Sequence, residues 1–175
     1  MNKNLWEKAV SFHGHKCPGL AIGFKACEAA AQKMGIGVSD DEAIVCVTEN
    51  DACGVDAVQA ILSCTIGKGN LIYNGTGKQA FSFFDRKSGK KLRVCLKPGK
   101  NEGMSREQWM EYLLNAPVDE IFTFSEPKSD MPEKTRLFET VICEICGEGA
   151  PEHKMRLQDG QKVCADCFKD YGRGW

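Results

Sequence analysis

Two pairs of cysteines near the C-terminus constrain the fold of this chain most strongly. Each pair has the form Cys-x2-Cys, and 17 residues separate the pairs, which is the spacing of a structural zinc site. A segment of about 35 residues has little core of its own, so we expect it to need the metal to fold. The predicted Zn²⁺ ligands are Cys143, Cys146, Cys164 and Cys167.

The residues around these pairs predict the form of the zinc module. Asp159-Gly160 between the pairs indicates a hairpin, and Phe168 and Tyr171 are placed for a helix that begins after Cys164 and bears the second pair. A tight turn, or knuckle, at the first Cys-x2-Cys pair, followed by a hairpin and a helix, predicts a treble clef. A rubredoxin-like iron site is the alternative, and zinc is preferred because no glycine follows Cys167.

Residues 12–19, Phe-His-Gly-His-Lys-Cys-Pro-Gly, form a second cluster of metal-ligating residue types. Pro18 suits the first position of a helix, which places Cys17 at the N-cap, where the helix dipole favours a thiolate. If residues 13–17 are extended, His13, His15 and Cys17 point to one side. The pattern predicts a metal or nucleophile site, and a helix cap without chemistry is the alternative.

The other cysteines fall into two groups. Cys53 stands at the start of another predicted helix, just after Glu49 and Asp51, and Cys64 closes that helix. The remaining three lie in apolar runs and are assigned to the core: Cys27, Cys46 and Cys95. Ten cysteines in a reducing compartment indicate metal ligands, reactive groups or core residues in place of disulfides.

Composition excludes several classes of partner. The net charge of −1 over 175 residues gives no basic surface for nucleic acid or anionic lipid. The first residues lack the apolar run of a signal peptide, and no later run reaches about 18 apolar residues. We therefore expect a cytoplasmic protein without membrane or nucleic-acid partners.

The order of helical and strand patterns predicts an α+β fold. Helices are expected at residues 4–12, 18–34, 55–62 and 106–115, and strands at 43–49, 71–73, 79–84, 91–96 and 120–124. Gly35 is expected to end the second of these helices, and a capping box of Ser105 and Gln108 to open the last. The strands from residue 71 onward read as an antiparallel meander, with the first helices packed on one face of the sheet. The predicted domains are a core at 1–125, a linker at 126–138 and the zinc module at 139–175.

Three motifs resemble the E-subunit family of formylmethanofuran dehydrogenase. They are FHGHKCPG at residues 12–19, DACGVDAVQ at 51–59 and CTIGKGN at 64–70, in the family order. Ser63 stands where the family pattern has glycine. The resemblance covers roughly residues 10–97, and the zinc module resembles an extension found in some members.

The resemblance implies a homodimer with a cleft that is linked to metal binding. Carried over to this sequence, the cleft residues are His13, His15, Cys17, Asp51, Cys53, Cys64 and Lys68. The first three are the candidate catalytic residues. We expect a second transition metal in the core, bound through His15, Cys17 and either Cys53 or Cys64.

The resemblance also implies an accessory protein of one-carbon metabolism that serves molybdenum or tungsten enzymes, is related to methanogenesis and contacts the other proteins of an enzyme complex. The sequence lacks the cysteine runs of ferredoxin-type clusters, so the redox step is not expected here. Two alternatives stay open. One is a metal- or thiol-dependent enzyme acting on a small molecule at the cleft, with Glu49 or Asp51 as acid or base; the other is a zinc-finger interaction module.

Overall fold

The computed structural model describes residues 2–99 and 101–172, and the chain divides into two compact units, Met1–Thr135 and Arg136–Trp175. Met1 and residues 173–175, at the ends of the predicted first and last domains, lie outside the described residues. Most of the segment predicted as a linker, up to Thr135, belongs to the first unit.

Five helices are described in the first unit. They are α1 Lys3–His13, α2 Pro18–Met34, α3 Gly54–Leu62, α4 Arg106–Asn115 and α5 Val118–Ile121. Cys17 caps α2 by accepting a hydrogen bond from the Leu20 N–H, and Gly35 ends the helix in the left-handed conformation, both as predicted. The predicted capping box of Ser105 and Gln108 opens α4.

The five strands of the first unit form one mixed sheet. They are β1 Ile44–Thr48, β2 Leu71–Tyr73, β3 Ala80–Asp85, β4 Lys91–Leu96 and β5 Phe122–Ser125, in the order β2-β1-β3-β4-β5. Helices α1 to α4 pack on one face and enclose the main core, whose largest fully buried side chains include Phe81, Phe83 and Leu20. The predicted α+β fold, with helices on a largely antiparallel sheet, is confirmed.

One strand pairing differs from the predicted meander. β2 does not pair with β3 but runs parallel to β1, with Cys46 opposite Leu71. The reason is α3, which carries the chain back along the sheet between β1 and β2 and so makes the two strands parallel. A βαβ unit is therefore attached to an antiparallel sheet, and the carboxyl ends of β1 and β2 lie side by side.

The second face of the sheet is covered in part by the segment that the sequence predicted as a linker. Met131 packs against Val45, Val47 and Phe84 on this face. Arg86 donates hydrogen bonds to the carbonyl oxygens of Pro132 and Glu133 at 2.6 and 2.8 Å. These contacts fix residues 131–133 to the first unit.

The second unit is built from short hairpins. Its strands are β6 Thr140–Ile142, β7 Gly149–Pro151, β8 Arg156–Gln158 and β9 Gln161–Val163, paired β6 with β7 and β8 with β9. The turn between β8 and β9 is Asp159-Gly160, as predicted. The helix predicted after Cys164 is absent from residues 164–172, which form a turn and irregular chain, so the described residues have the knuckles and hairpin of a treble clef without its helix.

Candidate functional site

Three metal-ligating side chains of the first unit converge at one point. Ligand atoms of His13, Cys17 and Cys53 all lie within 4.8 Å of one another. The Nε2 atom of His13 is 3.8 Å from the Sγ atom of Cys17, close to the edge of about 3.6 Å that a sulfur and a nitrogen span around tetrahedral zinc. The cluster therefore has the spacing of a three-ligand metal site.

Glycines bring the two cysteines of this cluster together. Cys17 caps α2 and Cys53 precedes α3, so their separation depends on how closely these helices approach. A Cβ atom on Gly23 would lie only 2.0 Å from the carbonyl oxygen of Gly54, which shows that the two backbones are in contact. Only glycine at residue 23 permits this crossing, and the crossing sets the distance between the thiols.

A carboxylate orients the histidine of the cluster. The Nδ1 atom of His13 is 2.7 Å from Oδ2 of Asp56, and the other oxygen of Asp56 accepts a hydrogen bond from Nε2 of Gln59 at 3.1 Å. A neutral imidazole that donates from Nδ1 presents the lone pair of Nε2, here toward Cys17. This is the arrangement that positions histidine ligands in metal sites.

The thiols of the cluster influence each other. Burial raises the pKa of the Cys53 thiol, and the neighbouring Cys17 raises it further. Cys17 itself is only 2% exposed and accepts the Leu20 N–H at 3.3 Å. A bound cation would hold both sulfurs as thiolates, because a coordinated thiol loses its proton.

A cavity of about 430 Å³ opens beside the cluster. It is lined by His13 and Cys53 of the cluster, and it lies at the carboxyl ends of β1 and β2, where Thr48 and Tyr73 end the two strands. Asp51 and Asp56 also line it. The side of the cluster that Cys53 and His13 present to this cavity is accessible to a small molecule.

The structure separates some of the predicted cleft residues from the cluster. His15 is exposed; its ring centroid lies 4.4 Å from that of His13, but it is outside the group of ligand atoms. The expected extended segment is not formed, because α1 continues through His13 and Gly14 then turns the chain with φ of +91°. The histidine grouped with Cys17 is thus His13 and not His15.

Two further predicted residues lie away from the cluster. Cys64 is fully buried, and its Sγ donates to the carbonyl oxygen of Ile44, away from the three-residue cluster. The Nζ atom of Lys68 contacts Oγ of Ser63 and the carbonyl oxygen of Asp41. Of the predicted cleft residues, only Asp51 joins His13 and Cys53 in lining the cavity.

Glu49, one of the predicted acid or base residues, is held in a buried ion pair. Its carboxylate contacts Nε and Nη2 of Arg93 at 2.5 and 3.0 Å and accepts the hydroxyl of Thr76 at 2.9 Å. The hydrogen bond from Arg93 lowers the pKa of Glu49, and Thr76 adds to this effect. Glu49 therefore joins the end of β1 to β4 across β3, and it is not among the residues that line the cavity beside the cluster.

Sequence reasoning missed Asp56 and Gln59 as parts of the site. The signal was available, because residues 53, 56 and 59 are three apart and lie on one face of α3. A carboxylate one turn after the cysteine of this helix can reach any group that the cysteine binds.

The second unit contains a separate group of four ligands. The sulfurs of Cys143, Cys146, Cys164 and Cys167 lie within 4.8 Å of one another, with 3.9 Å between those of Cys146 and Cys164, near the edge of about 3.8 Å expected around zinc. Backbone N–H groups of Cys146 and Cys164 lower the pKa of Cys143 to about 6. Four thiols with such donors fit a closed zinc site.

Comparison with family models agrees with this division. Residues 12–123 match the family described as "FmdE, Molybdenum formylmethanofuran dehydrogenase operon". Residues 136–172 match the family described as "Prokaryotic dksA/traR C4-type zinc finger". The first match contains the three-residue cluster, and the second contains all four cysteines of the C-terminal unit.

Two individual proteins are similar over nearly the whole chain. A "Probable S-adenosyl-L-methionine-binding protein" of Archaeoglobus fulgidus is 31% identical over 206 residues, which cover 97% of this chain but only 55% of that relative. The crystal structure of a tungsten formylmethanofuran dehydrogenase FmdE-like protein from Syntrophus aciditrophicus superposes with a TM-score of 0.70 at 25% identity, covering 94% of this chain and 90% of the other. Among the described residues no helix is both long and apolar enough to cross a bilayer.

Proposed function

Because the chain belongs to the FmdE family, we propose that it is a metal-binding accessory protein of one-carbon metabolism whose core holds a transition metal. The proposed ligands are Nε2 of His13 and the sulfurs of Cys17 and Cys53. The observation that carries the proposal is the convergence of these three atoms within 4.8 Å, beside a cavity. In the C-terminal unit we propose a structural Zn²⁺ on the four cysteines.

The donor set supports a transition metal in the core. One imidazole and two thiolates suit Zn²⁺ or another borderline ion, and Asp56 supplies the outer hydrogen bond that such a histidine ligand needs. These three residues would hold such an ion and would leave it open to one external group. A metal bound here supplies Lewis-acid chemistry at that position, next to the cavity.

The accessory role is supported by the names of similar proteins. The family description refers to a formylmethanofuran dehydrogenase operon, and the Syntrophus aciditrophicus protein is described as similar to the FmdE protein of the tungsten enzyme. S-adenosyl-L-methionine binding is not carried over, because nearly half of the Archaeoglobus fulgidus relative has no counterpart here. The proposed partners are the other proteins of an enzyme complex and a second copy of this chain.

A thiol-dependent enzyme is the second candidate, and one observation favours it. Cys17, His13 and Asp56 stand in the order nucleophile, base and orienting carboxylate, at 3.8 and 2.7 Å. A metal on Cys17 and His13 would occupy both groups, so the two candidates exclude each other.

Metal content of the full-length protein tests the proposal. We expect about two metal ions per chain, one for each of the two ligand clusters, and about one for Cys17→Ser and for Cys53→Ser. Cys95→Ser is the matched control, because Cys95 lies on β4 outside both clusters, and it should keep both ions. If Cys17→Ser retains two ions, the core is not a metal site.

The proposed partners need a separate measurement. Sedimentation of the purified protein should give the mass of a dimer. After mixing with a molybdenum or tungsten formylmethanofuran dehydrogenase, size-exclusion chromatography should show a species that elutes earlier than either protein alone. A zinc-finger module that works alone would still bind this enzyme complex in the Cys17→Ser variant. Loss of binding in that variant would mean that the core site is needed for binding to the enzyme complex, as the accessory role requires.

A further inference from the structure

The cavity beside the core cluster has a composition that selects its ligand. It lies where the parallel strands β1 and β2 end, the edge of a βαβ unit at which small molecules commonly bind. Its volume of about 430 Å³ falls in the range of small-molecule sites. A small molecule that binds in this cavity must match the charge and polarity of the side chains that line it.

One wall of the cavity is apolar and exposed. Ile66 and Tyr73 are 74% and 58% exposed, and both line the cavity together with Val55 and Leu71. The Tyr73 ring is held in place by the chain at residue 75, where a Cβ atom would lie 2.6 Å from the Tyr73 hydroxyl. Large apolar side chains exposed around one cavity indicate that something apolar covers them.

The polar wall is negative. Asp51 and Asp56 are the charged side chains besides the cluster, and no lysine or arginine is among the described residues that line the cavity. A divalent ion on two thiolates and a neutral histidine adds no net charge, so the two carboxylates determine the sign. The amide of Asn50 is occupied, because it donates to the Lys78 carbonyl oxygen and accepts the Ala52 N–H.

The start of α3 does not reverse this preference. A helix N-terminus can bind an anion through its free N–H groups. Here the N–H groups of Val55 and Asp56 already donate to the carbonyl oxygens of Ala52 and Cys53. An anionic ligand would therefore meet two carboxylates with no cationic side chain among the described lining residues to offset them.

We propose that this cavity binds a small organic cation with an apolar or aromatic body, whose charge lies toward Asp51 and whose body lies against Tyr73 and Ile66. The proposal deepens the proposed function, because it takes the core metal to be present and assigns the ligand class of the same site. The cavity and its exposed apolar wall define the site, and the aspartates decide the charge of what enters.

Three probes of similar shape and different charge test this ligand class. Benzyltrimethylammonium is a cation that cannot coordinate a metal, benzyl alcohol is neutral and benzoate is an anion. Each is titrated into isotopically labelled full-length protein at low ionic strength, with amide shifts recorded and metal content measured on the same sample. We expect shifts at cavity residues and binding of the cation about tenfold tighter than that of the alcohol, with benzoate weakest.

Variants assign the preference to the cavity. Asp51→Asn should weaken cation binding about fivefold and leave alcohol binding unchanged, since Asp51 is exposed and its charge is partly screened. Asp40→Asn, the same substitution at an exposed residue outside the cavity, should change neither. Tyr73→Leu should weaken the cation more than the alcohol, because it removes the aromatic face.

The outcomes separate this inference from the proposed function. Equal binding of the three probes, preference for benzoate, or shifts outside the cavity would overturn the ligand class, even if the core metal is present. Selective cation binding by protein whose core holds no metal would support the ligand class and overturn the metal proposal. Neither metal nor cation binding would overturn both.

Discussion

The two cysteine clusters of this protein differ in what surrounds them. In the C-terminal unit, two of the three residues that form the buried cluster belong to the candidate zinc site, Cys143 and Cys164, and the third is Val163. In the first unit, Cys17 is one member of a large core of helix and sheet residues. A metal can therefore be the core of the small unit, whereas in the large unit it would be an addition to a core that already exists.

This difference indicates which property each site provides. Four sulfurs would complete the tetrahedron of a bound zinc in the C-terminal unit, which would leave no position for an external group. The three-residue cluster is positioned by the crossing of α2 and α3, and it borders a cavity. We therefore expect the first arrangement to provide stability and the second to provide access to a ligand.

The largest effect is expected from removing one ligand of the four-cysteine site. Cys146→Ser should release the C-terminal metal and unfold residues 136–172, because a structural zinc contributes about 10–16 kcal/mol to such a fold. The first unit should stay folded. Amide spectra and metal content measure both effects.

Cys17→Ser is the opposite case. It should remove the core metal while both units stay folded, since serine also caps a helix. If Cys146→Ser leaves the dispersed signals of residues 136–172 intact, the contrast between the two clusters is wrong.

The next effect concerns the helix crossing. Gly23→Ala should lower the free energy of unfolding of the first unit by about 4 kcal/mol or more, because its Cβ atom would overlap the Gly54 carbonyl at 2.0 Å. It should also weaken core metal binding by moving Cys17 away from Cys53. Gly37→Ala is the control, because no heavy atom lies within 4 Å of its Cβ position. Denaturant unfolding of both variants decides whether the crossing positions the site.

A smaller effect is expected at the residue that orients His13. Asp56→Asn should weaken core metal affinity about 10–100-fold, because the amide no longer fixes the Nδ1–H form of His13, and it should leave the C-terminal metal unchanged. Competition with a chelator measures the affinity of each site, and nitrogen NMR of the His13 ring reports its tautomer. If the core metal affinity and the His13 tautomer are both unchanged in this variant, Asp56 does not position His13.

The smallest effect is the pH dependence of the first unit. The pKa of Glu49 is lowered in the folded state, chiefly by the hydrogen bond from Arg93. Its contribution to stability is therefore present above the unfolded value of about 4.3 and is lost as the pH falls through the lower folded value. In Glu49→Gln this part of the loss of stability at acid pH should be absent, whereas the control variant Glu102→Gln should lose stability as the unsubstituted protein does. Thermal unfolding between pH 7 and pH 3 compares the variants.

The sequence predicted the elements that depend on local chemistry. Pro18 after a cysteine predicted the start of α2 and its cap, the Ser105 capping box predicted α4, and Asp159-Gly160 predicted the turn between β8 and β9. Because such signals act over three or four residues, they can be read without knowledge of the rest of the chain. The prediction of a helix after Cys164 was wrong, because Phe168 and Tyr171 alone are not enough to stabilise a helix in a short unit.

Ligand spacing and motif order are properties of the chain, so they were sufficient to predict a four-cysteine site in residues 143–167 and a core with the histidine and cysteine motifs of one family. The members of the core cluster, in contrast, follow from the folded arrangement. Close approach of Gly23 to Gly54 brought Cys53 to Cys17, the turn at Gly14 brought in His13 in place of His15, and the path of α3 moved β2 beside β1. Each of these depends on contacts between residues that are distant in sequence or on the direction of a single turn, which no local pattern specifies.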